Sequence, residues 1–470
     1  MTKSRRKFLQ HSALASTALA ATPYIWTSKA TANELQDTDL TVAAIGVGGS
    51  RGRYSRGGSV ARQAAKFGKM IAVCDVDELH NAEFNADERF GGKLTEYVDY
   101  RKLIDTERPD VVVIGTNDHW HVPIATYALR AGCDVYCEKP LTLTIDEGKE
   151  ICKVVEETGK VFQVGTQQRT EMGQKFLKAV AMIQGGFVGD NVTAHIAIGA
   201  APGEGPFPTA DIPEKLDWDF WVGPARKADY SLERRKFFRW YMEYSGGKMT
   251  DWGAHHIDIA QWAIGMDKTG PVSIAGNGKF GNVVPKDFNW VDFFEGKAEL
   301  ENGYNAATSF NLDLTFANGS VLNVNHEYES EDGKTKFPNG ILFEGSLGRI
   351  FVNRGKLTGK AVEELTEADN KKLDDAIAKL YKGKPITSHM ANFFECIKDR
   401  SEPVSDVYTH HRTMTSCHMC NIALMTGSDL KWDPEKEVFL GNDMANQLMT
   451  RPSRQEFLGE PAHAKEAAAG

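Results

Sequence analysis

From residue 39 the chain alternates short apolar runs with longer amphipathic stretches. The runs "DLTVAAIG", "KMIAVCD", "PDVVVIGT", "DVYCEK" and "KVFQVG" show little polar alternation, which predicts strands buried on both faces. Between them lie the helical patterns "SVARQAAKFG", "DELHNAEFNADERF", "YRKLID", "VPIATYALRAG" and "LTLTIDEGKEICKVVEETG". Pro123 and Gly132 punctuate the fourth, while Thr144 with Glu147 forms a capping box for the fifth and Gly159 ends it. Strands separated by helices of this length require crossover connections. The pattern therefore predicts a doubly wound parallel sheet over residues 38–164.

Near residue 165 the rhythm changes. The region to about 350 is richer in Trp, Gly and Pro and carries alternating strands such as "NVTAHIAIG", "AATSFNLDLTFANGS" and "VLNVNHEYES", with a hairpin signal in "FANGS". This predicts a second, α+β domain over 165–470 built on a largely antiparallel sheet. Residues 361–384 are charged and read as a solvated surface. "SHMANFFECIKD" and "HRTMTSCHMCNIALMTG" read as helices with an apolar face, which places the "CHMC" cysteines in a core.

Composition narrows the partners. The 470 residues carry a formal charge of −9 and an apolar fraction of 41%. Such a surface repels nucleic acid and anionic lipid, and no later run is long enough to span a membrane. The first 32 residues instead hold a basic head, an apolar middle without acidic groups, and small residues Ala30 and Ala32 at a cut site. Their "SRRKFLQ" resembles a twin-arginine export signal and implies a periplasmic or otherwise exported location, with the translocation machinery as a partner. Seven scattered cysteines do not form a disulfide framework, which suits a protein that folds before export.

"GVGGSRG" at 46–52 follows the first strand and precedes a helix, the context of a dinucleotide fingerprint. Gly46, Gly48 and Gly49 let the backbone approach a pyrophosphate, and helix N–H groups favour its charge. The third glycine of the motif falls one place late, at Gly52. The next strand ends in Asp75, suited to the two hydroxyls of an adenosine ribose. With Asp77 nearby and no arginine directly after Asp75, a 2′-phosphate meets negative charge, so NAD is preferred to NADP.

Three further motifs, "GTNDHWH" (115–121), "CEKPLT" (137–142) and "GGKMTDWGAHHIDIAQWAIG" (246–265), together resemble the glucose-fructose oxidoreductase/inositol dehydrogenase (Gfo/Idh/MocA) family. The resemblance implies a Rossmann domain followed by an open-faced sheet domain for substrate and oligomer contacts, and hence a homo-oligomer. It places Thr116, Asn117, His121, Glu138 and Lys139 against the cofactor, with Lys139 also beside the substrate. Asp251, His255 and Asp258 share one face if the segment is helical. The resemblance assigns His255 as base, Asp251 as its partner or a substrate ligand, and Asp258 as a supporting residue. Arg169 is a candidate for bonding sugar hydroxyls. No further ligands adjoin the Asp-His-Asp set, so no metal is expected.

The expected activity is hydride exchange between a nicotinamide and a secondary alcohol of a sugar, polyol or glycoside, with the cofactor retained. The alternatives are a redox-neutral glycosidase using transient ring oxidation, and a non-catalytic dinucleotide- or sugar-binding protein.

Overall fold

The computed structural model describes residues 39–462; the expected export signal lies outside them. The first sheet consists of β1 (Thr41–Ile45), β2 (Lys69–Cys74), β3 (Thr95–Tyr97), β4 (Val111–Ile114), β5 (Asp134–Cys137) and β6 (Phe162–Val164). All its pairings are parallel and the order is β3-β2-β1-β4-β5-β6. Order reverses between β1 and β4, which opens a crevice at their carboxyl ends. The intervening helices are α1 (Arg56–Ala64), α2 (Glu78–Asn85), α3 (Tyr100–Glu107), α4 (His121–Arg130) and α5 (Ile145–Thr158). The Thr144–Glu147 capping box is formed, and Gly159 ends α5 at φ 61°.

The two faces of β1 separate by alternation. Ala43 and Ile45 pack with α3, α4 and α5, while Val42 and Ala44 pack with α1. The second face is closed by a helix from far along the chain, since Met390, Phe393, Phe394 and Ile397 enter the same core. Packing thus crosses the sequence boundary near 165, and the described residues form one compact unit.

The chain continues through α6 (Lys175–Gln184), β7 (Thr193–Ala197), α7 (Trp218–Val222), α8 (Leu232–Lys236), α9 (Gly247–Asp251) and α10 (Gly253–Ala263). Then come β8 (Ser273–Phe280), α11 (Trp290–Phe294), β9 (Ala307–Thr315), β10 (Val321–Asn325), β11 (Tyr328–Glu329), β12 (Lys336–Phe337), β13 (Gly340–Gly345), β14 (Gly348–Val352) and β15 (Leu357–Thr358). These are followed by α12 (Lys360–Glu363), α13 (Glu367–Leu380), α14 (His389–Asp399), α15 (Val407–Thr426), β16 (Leu430–Asp433) and β17 (Val438–Leu440). Nine of these strands form a mixed sheet in the order β15-β14-β13-β7-β10-β9-β8-β16-β17. Only the β10–β7 pair in it is parallel. The "FANGS" turn joins β9 to β10 as expected, with Gly319 at φ 83°. The charged stretch 361–384 is amphipathic rather than wholly solvated: α13 buries Leu373 and Ile377 under the sheet's helical layer. Both CHMC cysteines are buried in α15. Among the described residues no helix is long and apolar enough to cross a membrane.

The glycine loop departs from the sequence reading. α1 begins at Arg56, so the close-packing glycine is Gly57, separated from Gly48 by residues 49–56. A Cβ on Gly57 would lie 1.8 Å from the Gly46 carbonyl oxygen and 2.9 Å from that of Gly115. A Cβ on Gly52 would meet nothing closer than 3.4 Å. Gly57→Ala is therefore expected to cost about 3 kcal/mol or more and to impair dinucleotide binding, whereas Gly52→Ala changes stability by less than about 1 kcal/mol. Urea denaturation of the two variants compares them directly, and equal stabilities would remove Gly57 from this role.

Candidate active site

A cleft of about 390 Å³ opens over the carboxyl ends of β1 and β4. At one end Gly46 and Gly48 turn the chain at φ 77° and 63°. Asp75, just past β2, accepts from the Gly48 N–H at 3.0 Å and the Asp77 N–H at 3.0 Å. Burial opposes its charge, but His80 and these backbone donors outweigh burial and hold the carboxyl below its usual range. Asp77 plays a different part from the one expected. It is fully buried, caps α2 and pairs with Arg235, so its charge is already met and does not face the cleft. Gly49 does not line the cleft either; Glu83 and His80 fill the space beside it, and Gly52 lines the wall instead.

The opposite wall holds Thr116, Asn117, Glu138 and Lys139. Glu138 accepts from Arg56 at 3.0 Å and from Gln167 at 2.9 Å. His121 is buried behind this wall, with Nδ1 2.7 Å from the Pro140 carbonyl and Nε2 3.1 Å from that of Thr116. It links the two loops that carry Thr116 and Lys139 rather than lining the cleft. The Lys139–Pro140 bond is cis.

Lys139 Nζ donates to Asp251 Oδ1 at 2.7 Å and to the Asp251 carbonyl at 2.6 Å. Arg239 Nε donates to the same carboxylate oxygen at 3.2 Å. Burial works against this carboxylate, but the two cations hold its pKa far below the ordinary value. Asp251 ends α9 and His255 lies in α10, so the expected single helix is broken at Trp252. The expected Asp–His bond is absent: the carboxylate is committed to Lys139 and Arg239, and His255 Nδ1 is sealed without a partner. Burial, then the charges of Lys139 and Arg354, push His255 well below its usual pKa, with Asp251 opposing them. The imidazole is thus neutral across the physiological range.

Arg169 and Asp258 lie outside the cleft. Arg169 donates to both Asp258 oxygens, at 2.9 and 2.6 Å, with 2% and 1% of the two residues exposed. Its guanidinium is fully engaged inside the protein and is not offered to a substrate. Residues that sequence reasoning passed over include Asp118, Arg239 and Arg354, all of which line the cleft. Asp118 accepts from Ser245, and burial raises its pKa to about 6.

A dinucleotide fits this lining on independent grounds. Thr116 Oγ1, Asn117 Nδ2 and Arg239 Nη1 are buried without partners at the cleft wall, each a cost of about 1–3 kcal/mol that a polar ligand relieves. The glycine backbone at 46 and 57 leaves no room for a Cβ. Gly46, Gly48 and Asp75 would hold the adenosine half, with Thr116, Asn117 and Lys139 toward the nicotinamide.

This architecture is that of NAD-binding oxidoreductases. Residues 40–166 match a profile described as "Oxidoreductase family, NAD-binding Rossmann fold", and residues 200–282 and 350–458 match "Oxidoreductase family, C-terminal alpha/beta domain". The chain belongs to the Gfo/Idh/MocA oxidoreductase family. It is 24% identical to D-glucoside 3-dehydrogenase of Escherichia coli (strain K12) over 332 residues, covering 68% of this chain and 82% of that one. Inositol 2-dehydrogenase of Salmonella typhimurium is 29% identical over 128 residues, covering 27% of this chain and 37% of that one. Two solved structures share the fold. The WlbA dehydrogenase of Bordetella pertussis, in complex with NADH and UDP-GlcNAcA, aligns at TM-score 0.57 and 16% identity, covering 85% of this chain and 99% of that one. A levoglucosan dehydrogenase with NADH and levoglucosan aligns at 0.53 and 16%, covering 86% and 100%.

Two outcomes test the charge assignments. Because the folded pKa of Asp118 is raised, its contribution to stability is full below about pH 4 and lost as pH rises through about 6. Asp118→Asn is therefore expected to gain stability on the wild type between pH 4 and 8, by up to about 3 kcal/mol; a pH-independent difference in urea midpoint contradicts this. Arg169→Leu, which leaves Asp258 buried and unpaired, is expected to cost about 3–5 kcal/mol while the affinity for NAD of the folded fraction is kept. Weakened NAD binding without destabilisation would return Arg169 to the site.

Proposed function

We propose that the protein exchanges hydride between NAD and a secondary alcohol carbon of a sugar, polyol or glycoside. The observation that carries this reading is the Lys139–Asp251 pair at 2.7 Å, set in the same cleft as His255, the glycine loop and Asp75. Bound NAD supplies the two-electron hydride acceptor. Lys139, held by Asp251, donates a hydrogen bond to the substrate oxygen and stabilises the negative charge that grows on it. His255, neutral and lining the cleft, accepts the hydroxyl proton. Asp251 stabilises the resulting imidazolium by charge without bonding to the ring, and Arg239 keeps that carboxylate ionised.

The D-glucoside and inositol dehydrogenases among the relatives support a polyhydroxylated substrate. The basic start of the chain supports an exported enzyme that keeps its cofactor bound and regenerates it on a second substrate.

Lys139→Ala is expected to lower kcat/KM by about 10²-fold or more, and His255→Gln by about 10²–10⁴-fold. His255→Gln should leave nucleotide affinity near wild type. Because His255 titrates well below its ordinary value, the acid limb of kcat/KM should lie well below pH 6.5. Reduced-nicotinamide absorbance with a sugar and polyol panel, together with product masses, measures all three. Full activity of either variant overturns the assignment, and cleavage without net redox change favours the redox-neutral alternative.

A further inference from the structure

Beside the reactive cleft lies a second hollow of about 470 Å³, within the ordinary range of small-molecule sites. Its walls are mainly aromatic, formed by Tyr54, Phe207, Phe237, Trp240 and Tyr304, and Arg53 completes the rim. Arg53 and Tyr54 line both hollows, so the two are neighbours across these side chains. Both residues come from the stretch between Gly48 and Gly57 that displaces the third glycine of the fingerprint.

The rings form a contiguous cluster. Phe207 and Tyr304 lie 4.7 Å apart at 58°, Phe237 meets Tyr304 at 6.1 Å, and the Arg53 guanidinium covers Phe237 at 4.8 Å. Tyr54 rests on Arg239 at 3.9 Å, and Arg239 bonds Asp251, the carboxylate that holds Lys139. Tyr54 is 38% exposed, so its ring is open to a ligand entering the hollow. Glu204 and Glu233 supply the carboxylates of the hollow.

Resting on the function proposed above, we infer that this hollow is a subsite for the second ring of a neutral glycoside whose first ring occupies the reactive cleft. Aromatic faces shed water against the C–H faces of a sugar ring. Carboxylates and a guanidinium at the edge bond its hydroxyls with charge-assisted geometry. The same two carboxylates disfavour a phosphorylated second group on the glycoside, so the class is a disaccharide or aryl glycoside rather than a nucleotide sugar.

The test uses the NAD-loaded full chain and calorimetric titration with matched pairs: methyl glycosides and the corresponding disaccharides in the gluco, galacto and manno series, with UDP-glucose as a charged probe. For the recognised series the disaccharide should bind about tenfold tighter than the methyl glycoside. Phe237→Ala should remove about tenfold of disaccharide affinity and leave methyl glycoside affinity within about twofold. Phe237→Tyr should restore it. Phe237 lines only the second hollow, and a thermal melt checks that each variant is folded. Equal affinity for the two members of every pair, with turnover intact, overturns the subsite alone. Tighter binding of UDP-glucose than of any disaccharide overturns the neutral class. Failure of every pair to bind or to reduce the cofactor overturns the subsite together with the function on which it rests.

Discussion

The constraint on which the cleft depends is steric: three glycine backbones meet where β1, β4 and α1 converge. With a hydrogen at Cα, Gly57 sits against the Gly46 and Gly115 carbonyls; with a methyl it could not. That approach fixes the start of α1 against the crest of the sheet. The crest then places Asp75 on one side and Thr116, Asn117 and Lys139 on the other. The loop between Gly48 and Gly57 is free to be long because its two ends are pinned.

Electrostatics in the cleft follow from burial acting on a crowded set of charges. Asp251 stays ionised because two cations share one of its oxygens, and His255 stays neutral because burial and neighbouring cations disfavour its charge. A carboxylate and an imidazole four residues apart thus keep distinct protonation states. Asp118, with the hydroxyl of Ser245 as its bonding partner, shows the opposite response to the same burial.

Much of this was legible in the chain. The apolar runs located five of the six parallel strands, and the capping signals at Thr144 and Gly159 read correctly because they depend only on local backbone geometry. The three-residue β3 left no periodic signal, and the amphipathic pattern of α13 was masked by its charge. In the site, glycine spacing could be read only as a fixed motif, so the partner of Gly46 was placed at Gly52 instead of Gly57. Arg169 was a candidate for bonding sugar hydroxyls. Its commitment to Asp258 is a contact across 89 residues, which no local pattern carries. Arg239, in a 3₁₀ turn, and Arg354, in a loop, converge on the cleft from segments remote in sequence and gave no motif at all.

The placement of α14 bears on how the molecule is made. During synthesis the parallel strands are complete once Val164 has emerged, yet the apolar face later covered by Met390, Phe393, Phe394 and Ile397 stays bare for more than two hundred further residues. Nascent chains with such long-range closure fold slowly and expose sticky surface on the ribosome. The core of the nucleotide-binding half is therefore completed only once α14 has been made, and that helix acts as the latch that closes it.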